Sequence, residues 1–360
     1  MPAVVTLAIV VLLANSSRAQ APKELAETYA KAVQALNEAH AKKPAGETEA
    51  ALSKKMPREA VAALETLLKA EGDGVGGALV VAGEAALDLD RIDDFEKVRT
   101  RIAKVSPDAA AKLGIALSRP RFVMRGLDGV EKEGLEAVAA AADEVLDAYA
   151  ATFAFAEWSK VPGKKLRFRV HLVTKIEKPP HFAPEFPFHS EIDFPVIDKK
   201  TFTSPTEDGQ FLLYGLAHEL GHVIAMWGDA DHEEDFHAWA HYTGLVVVTW
   251  LATNRKESAA LKELKDVKWR SVDIERYRLS GAQARPGRTT KDAVLELLFE
   301  TQDMAGTKAI GEAINALDKK DERLRVNGVR YYTFDAFGKA LKAAPSAKKK
   351  AKDLALLFPN

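Results

Sequence analysis

The chain contains no cysteine. Disulfides, thiolate metal ligands and cysteine nucleophiles are therefore excluded, and any bound metal must be held by His, Asp or Glu. Net charge is also nearly absent. Against 51 Lys and Arg stand 52 Asp and Glu, leaving a formal charge of -1. Neutralising phosphates needs a basic surface, so this balance argues against nucleic-acid binding as the main task. Long apolar runs are lacking too. Val4 to Ala14 is apolar apart from Thr6, but it is short for a bilayer span. No basic segment precedes it. Small and polar residues follow from Asn15 to Ala21, and Ala19-Gln20-Ala21 fits an A-x-A cleavage site. The expectation is a signal peptide over residues 1–21, a secreted or periplasmic protein, and no stable membrane span after cleavage.

The residues that are present describe a globular protein of ordinary hydrophobic content, long enough for two or three units. Residues 22–118 read as helical and repeat-like. Leu25, Tyr29, Val33 and Leu36 share one face, as do Val61, Leu64 and Leu68, and then Phe95, Val98, Ile102 and Val105. Gly72 to Gly77 should break the chain between the last two sets. Such an array reads first as packing and second as a surface for a protein partner.

The pattern changes near Pro120. Arg121 to Arg125 suits a short strand. Gly134 to Phe153 suits a long amphipathic helix with Leu135, Val138, Val145, Tyr149 and Phe153 inward. Leu166, Phe168, Val170 and Leu172 alternate with Arg167, Arg169 and His171, which is the period of a strand with one buried face. Five prolines between Lys178 and Asp198 exclude a helix there, and Ile192, Phe194 and Val196 suit an edge strand. Ser204-Pro205-Thr206-Glu207 has the residues of a helix start, with a capping Ser, Pro at the first helical position and Glu three after the Ser. That helix should stop at Gly228, and a second should run from near Glu233 to about Thr253. Residues 256–345 are expected to form a mostly helical lobe. It contains one hairpin, in which Asn327-Gly328 joins Leu324-Arg325-Val326 to Val329-Arg330-Tyr331. The basic tail 346–360, with Lys348, Lys349 and Lys350, should be solvated and frayed.

The chemistry concentrates on one helix. His218 and His222 are four apart, so their imidazoles stack on one face and can hold one metal from one side. Glu219 follows the first His and can reach a water on that metal as general base. This is the H-E-x-x-H arrangement. Five of the nine histidines fall between His218 and His241, so the helix after the motif is where further ligands are to be sought. It offers Glu233, Glu234, Asp235, His237 and His241. A Gly and a third His at the spacing metzincins require are absent, since Ala225 and Gly228 stand there.

The order helix, strand, extended segment, H-E-x-x-H helix and second ligand helix resembles the gluzincin-type catalytic domain of the peptidase MA-like families, over roughly residues 120–255. The resemblance implies an α+β fold: a zincin-like catalytic domain (119–255) with a small mixed sheet and active-site helices, between the helical N-terminal region and the helical C-terminal lobe. It implies Zn2+ as cofactor and a Glu ligand on the second helix. In the matching run His237-Ala238-Trp239-Ala240-His241-Tyr242, His237 stands in that place. The expected metal ligands are thus His218, His222 and His237, with Glu234 and Asp235 as alternatives for the third, and Glu219 as the catalytic base. His241 can contact a ligand or the substrate, or be an ordinary helix residue. Tyr242, Tyr331 and Tyr332 are candidate proton donors, though each is more simply read as packing. Asp231 or Asp235 can hold a ligand His by its second nitrogen. The function expected is an exported zinc metallopeptidase acting on a peptide or protein. The alternative is an inactive peptidase-like scaffold that binds a protein partner, and hydrolysis of a non-peptide substrate is also compatible with the motif.

Overall fold

A computed structural model describes residues 75–88, 91–154, 166–175, 181–185, 189–196, 207–224, 233–254, 290–320, 324–326, 329–331 and 334–358, together with Glu27 and Glu65. The expected signal peptide and the helix faces at Leu25 and Val61 lie outside the described residues. In chain order the elements are α1 (Val75–Asp88), α2 (Ile92–Val105), α3 (Pro107–Leu113), β1 (Ile115–Ser118), β2 (Phe122–Leu127), α4 (Lys132–Phe153), β3 (Leu166–Leu172), β4 (His181–Glu185), β5 (His189–Val196), α5 (Glu207–Ile224), α6 (Glu233–Asn254), α7 (Thr290–Ala305), α8 (Thr307–Lys320), β6 (Leu324–Val326), β7 (Val329–Tyr331), α9 (Phe334–Ala343), a 3-10 turn (Pro345–Lys350) and α10 (Ala351–Leu357). The fold is α+β, mostly helical with a small mixed sheet. No described helix is long and apolar enough to cross a membrane.

The chain divides into two compact units. The first comprises Met1–Leu135, Lys164–Thr174 and Ala183–Val196. Its sheet has the strand order β1-β2-β3-β5-β4. β1 pairs antiparallel with β2, and β2–β3 and β3–β5 pair parallel. The register aligns Met124, Phe168 and Ile192 in one row and Gly126, Val170 and Phe194 in another. All of these residues are buried, so the period of two in β3 is the signature of this core face. Leu172, at the end of β3, departs from the expectation and is 37% exposed. The edge assignment also needs correction. β5 lies between β3 and β4, and β4 takes the edge. Pro195 is accommodated one residue from the end of β5, where a missing N–H costs the ladder least.

One further expectation fails in this unit and another is narrowed. Gly76 and Gly77 belong to the start of α1, while Gly72 to Gly74 lie outside the described residues. Leu79, Val81, Ala82 and Ala85 on that helix are buried, and this burial outweighs the roughly 1 kcal/mol per glycine lost in helix propensity. Residues 115–118, expected to be helical, form β1. α3 ends at Gly114, whose φ of 73° suits only glycine well, and the chain then pairs with β2. Phe95, Val98 and Ile102 are buried on α2 as their spacing requires, while Val105 at the helix end is exposed. Arg125 on β2 donates to the Leu113 and Lys112 carbonyls at 2.9 and 3.1 Å and pairs with Glu84 at 2.8 Å. A cation is thereby placed on the C-terminal carbonyls of α3, where it is most favourable.

The second unit comprises Glu136–Gly163, Lys175–Phe182 and Ile197–Asn360. α4 supplies its buried residues Val138, Val145, Tyr149 and Phe153 at the expected spacing. The hairpin forms with Val326 opposite Val329 and Leu324 opposite Tyr331. The chain end is not frayed. Lys348, Lys349 and Lys350 are exposed, but Ala347, Leu354 and Phe358 are buried. Phe358 packs edge-on against Phe337 at 5.6 Å, and Lys342 donates to its carbonyl at 3.0 Å. Ser346 donates through both its N–H and its hydroxyl to the Glu312 carboxylate at 2.8 Å. Apolar anchors at 347, 354 and 358 hold the segment that charge alone would leave in solvent.

The face of the sheet opposite the core row carries one charged cluster. Asp128 and Gly129 both have positive φ, 58° and 90°, and the Val130 N–H closes the turn onto the Leu127 carbonyl at 3.1 Å. Asp is among the residues that tolerate this conformation. The turn presents the Asp128 carboxylate to His171 Nδ1 at 2.8 Å, while Nε2 faces Asp193 at 3.3 Å. Arg169 holds Asp193 from two sides, at 2.6 and 2.9 Å. The bond to Asp193 raises the His171 pKa above the usual imidazole value, against the opposing effect of burial, and Asp128 adds to the rise. Burial alone would raise Asp193, but its bonds to His171 and Arg169 hold it below the usual carboxylate value.

These shifts define a window of stability. The His171 contribution is fully present below about pH 6.5 and is lost as pH rises through its raised value. The Asp193 contribution is present above about pH 4 and is lost as pH falls through its lowered value. The stability difference between wild type and His171→Gln, followed by urea unfolding, should therefore be largest near about pH 6 and shrink in alkali. A difference that stays constant with pH would show that these contacts do not form in solution.

Candidate metal centre

The candidate site lies on α5, within the second unit. Leu213, Leu216, Ala217 and Leu220 bury this helix on its apolar sides. The side chains of Val223 and Ile224 lie outside the described residues. The polar stripe is buried as well. His218 and Glu219 are each 8% exposed and His222 is 3% exposed. The motif supplies three of the seven buried polar side chains among the described residues. Polar groups are seldom enclosed in this way unless they have partners or a ligand.

The two imidazoles converge. Their Nε2 atoms are 3.1 Å apart and the rings are nearly perpendicular, with centroids at 4.8 Å. Glu219 Oε1 is 3.9 Å from His218 Nε2. The ligand atoms of His218, Glu219 and His222 all lie within 4.8 Å of one another, and the group can hold a metal ion. The donor set fits one. Two nitrogens bound tetrahedrally at 2.0–2.1 Å stand about 3.3 Å apart, close to the separation of these two. A cation there also offsets the cost of burying the Glu219 carboxylate.

The second helix approaches α5 closely, and glycine makes this possible. A methyl group on Gly221 would lie 3.0 Å from the Ala240 Cα and 3.1 Å from the Tyr149 hydroxyl, and would collide with the Thr243 hydroxyl. A methyl on Gly244 would lie 3.3 Å from the backbone nitrogen of His218. Polar bonds lock this contact. Tyr149 on α4 donates to the Ala217 carbonyl at 2.6 Å, and its oxygen lies 3.0 Å from Thr243 Oγ1. Burial pushes the Tyr149 phenol far above its ordinary pKa, so it stays protonated as a donor. Trp239 on α6 donates its indole N–H to the Gly221 carbonyl at 3.0 Å. Beneath these bonds Phe153 packs against Tyr149, Trp239 and Tyr242, each at about 6 Å between centroids.

His218, Glu219 and His222 are brought together as expected. His237 lies on α6, but its side chain lies outside the described residues, as do those of Glu233, Glu234, Asp235 and Tyr331. Asp231 and Tyr332 are outside them altogether. His241 packs edge-on against His218, with ring centroids at 4.6 Å. Tyr242 is not a donor at the site. It is fully buried, its hydroxyl donates to Gln302 Oε1 on α7 at 2.8 Å, and its ring meets Phe299 at 5.1 Å.

The residue that sequence reasoning missed is Tyr214, whose hydroxyl bonds His241 Nδ1. It stands four residues before His218, and that spacing on one helix face was the available sign. Gly221, inside the motif, and Gly244 were missed because a close approach between helices leaves no local pattern.

Comparison of the chain with known family models, with curated proteins and with solved structures finds no match.

The packing yields a direct test. Gly221→Ala raises helix propensity by about 1 kcal/mol, yet it should destabilise the fold by about 1–3 kcal/mol through overpacking against Thr243 and Ala240. Chemical denaturation measures the difference, and a variant as stable as wild type would rule out this contact between α5 and α6.

Proposed function

We propose that the protein is an exported zinc-dependent metallopeptidase of zincin-like architecture. The observation that carries the proposal is the buried convergence of the His218 and His222 Nε2 atoms, 3.1 Å apart, beside the Glu219 carboxylate. Two imidazoles suit zinc, and the absence of cysteine leaves nitrogen and oxygen donors as the only choice. His218 and His222 would hold the ion, with His237 as the third ligand and Glu234 or Asp235 as alternatives. Export rests on the apolar run and the Ala19-Gln20-Ala21 sequence.

Zinc, when bound, lowers the pKa of a coordinated water toward about 7 and polarises a carbonyl. The protein's own residues do the rest. Glu219 would accept a proton from the attacking water as its oxygen bonds to the peptide carbonyl carbon. As the C–N bond breaks, Glu219 returns that proton to the leaving nitrogen, giving a carboxylic acid and an amine. Glu219 sits among buried groups, where a proton shuttle is sheltered from bulk exchange. His218 and His222 orient the ion, and the helix contact at Gly221 and Gly244 fixes their backbone.

The test uses the full chain. Purified protein should carry about one equivalent of zinc, and a mixed peptide library should be cleaved. Glu219→Gln should keep the zinc and lose hydrolysis by about 10²–10⁴-fold. His222→Ala should lose both. If zinc is absent, or Glu219→Gln cleaves as wild type does, the reading is wrong. Zinc retention without any cleavage by the wild type would favour the inactive scaffold. Comparing the zinc content of His237→Ala and Glu234→Ala identifies the third ligand.

A further inference from the structure

We infer that Tyr214 and His241 form a positioning pair that holds the His218 ring in the orientation in which its Nε2 meets that of His222. The inference rests on the reading of His218 as a metal ligand. It deepens that reading by assigning a task to two residues outside the donor set.

The pair is built from both helices. Tyr214 stands one turn before His218 on α5 and reaches across to His241 on α6. Its hydroxyl bonds His241 Nδ1. The two rings are stacked, 17° from parallel with centroids at 6.1 Å. His241 then presents its ring edge-to-face to His218 at 4.6 Å, and Tyr214 itself lies 6.0 Å from His218. The His218 ring is thus bounded by His222 on one side and by His241 on another. Gly244, three residues beyond His241, leaves room for this, since a methyl there would stand 3.1 Å from Tyr214 Cε2. Among the described residues the donor group consists of His218, Glu219 and His222, and His241 contributes no atom to it.

The chemistry favours a tyrosine in this place. A phenol is a ready donor, so facing Nδ1 it selects the tautomer of His241 with the proton on Nε2 and fixes the plane of that ring. The fixed plane then limits the rotation of His218. A ligand already held in its binding rotamer loses less conformational freedom when the cation arrives. Groups that orient metal ligands in this way typically change affinity by about 10–100-fold when removed.

Imidazole nitrogen spectra of the metal-free full chain, read beside zinc titration, provide the test. Tyr214→Phe keeps the ring stack and deletes only the hydroxyl. It should shift the tautomer signature of His241, broaden or move the His218 ring signals, and weaken zinc binding about 10–100-fold. His241→Ala should weaken zinc binding at least as much. His241→Asn, whose amide can still meet the hydroxyl, should recover part of the loss. A packing role alone predicts lower thermal stability with unchanged His218 signals and unchanged zinc affinity, and that result in Tyr214→Phe and His241→Ala overturns the inference. If wild type binds no zinc, the site reading fails separately. The His218 signals then decide the pair, which stands if Tyr214→Phe disturbs them and falls if it does not.

Discussion

The candidate centre depends on how closely two helices approach each other. α5 and α6 meet where Gly221 faces Ala240 and Thr243, and where Gly244 faces the backbone of His218. A side chain at either glycine would push the helices apart and take the motif with them. The contact is held by groups that cannot exchange with water. The Tyr149 hydroxyl donates to the Ala217 carbonyl, and the Trp239 indole donates to the Gly221 carbonyl. Each bond is worth only about 0.5–1.5 kcal/mol net, but leaving any of these buried groups unsatisfied costs about 1–3 kcal/mol. The geometry is therefore enforced more by what would be lost than by what is gained.

This arrangement explains why the polar stripe survives in a buried place. The apolar residues of α5 and the aromatic group around Phe153 supply the burial, so the histidines and Glu219 need not contribute to it. The second helix serves two purposes in one run. Trp239, Tyr242 and Thr243 pack and bond, while His241, one position away, turns toward His218. Helical periodicity separates the two tasks onto neighbouring faces.

Much of this was legible in the sequence where the information is local. The alternation of Leu166, Phe168 and Val170 marks a strand because each residue's own position sets its face. The apolar spacing from Leu135 to Phe153, the Asn-Gly between two short strands and the His218–His222 interval are equally local, and each appears where expected. What was not legible comes from residues distant in sequence. The interior place of β5 depends on where β4 pairs, and no pattern within Ile192 to Val196 records that. α1 runs through Gly76 and Gly77 because burial of its apolar residues overrides propensity. The folded chain end depends on Phe358 finding Phe337 and Gly338, which a run of lysines conceals. Tyr214 is the clearest case. Its spacing from His218 was visible, but its importance arises only when α6 brings His241 to its hydroxyl.

The bonds around Gly221 have a consequence for the order of events in the life of the molecule. None of these bonds uses a donor atom of the metal group: they join Tyr149, Thr243 and Trp239 to one another and to the Ala217, Gly221 and Ala240 carbonyls. Small zinc domains that lack such a frame are unfolded until the ion arrives. The frame uses no donor atom of the site, so for a bound ion assembly and loading would be separate steps. Such a chain would fold before it is charged, and an ion lost from it would be replaced without the polypeptide having to begin again.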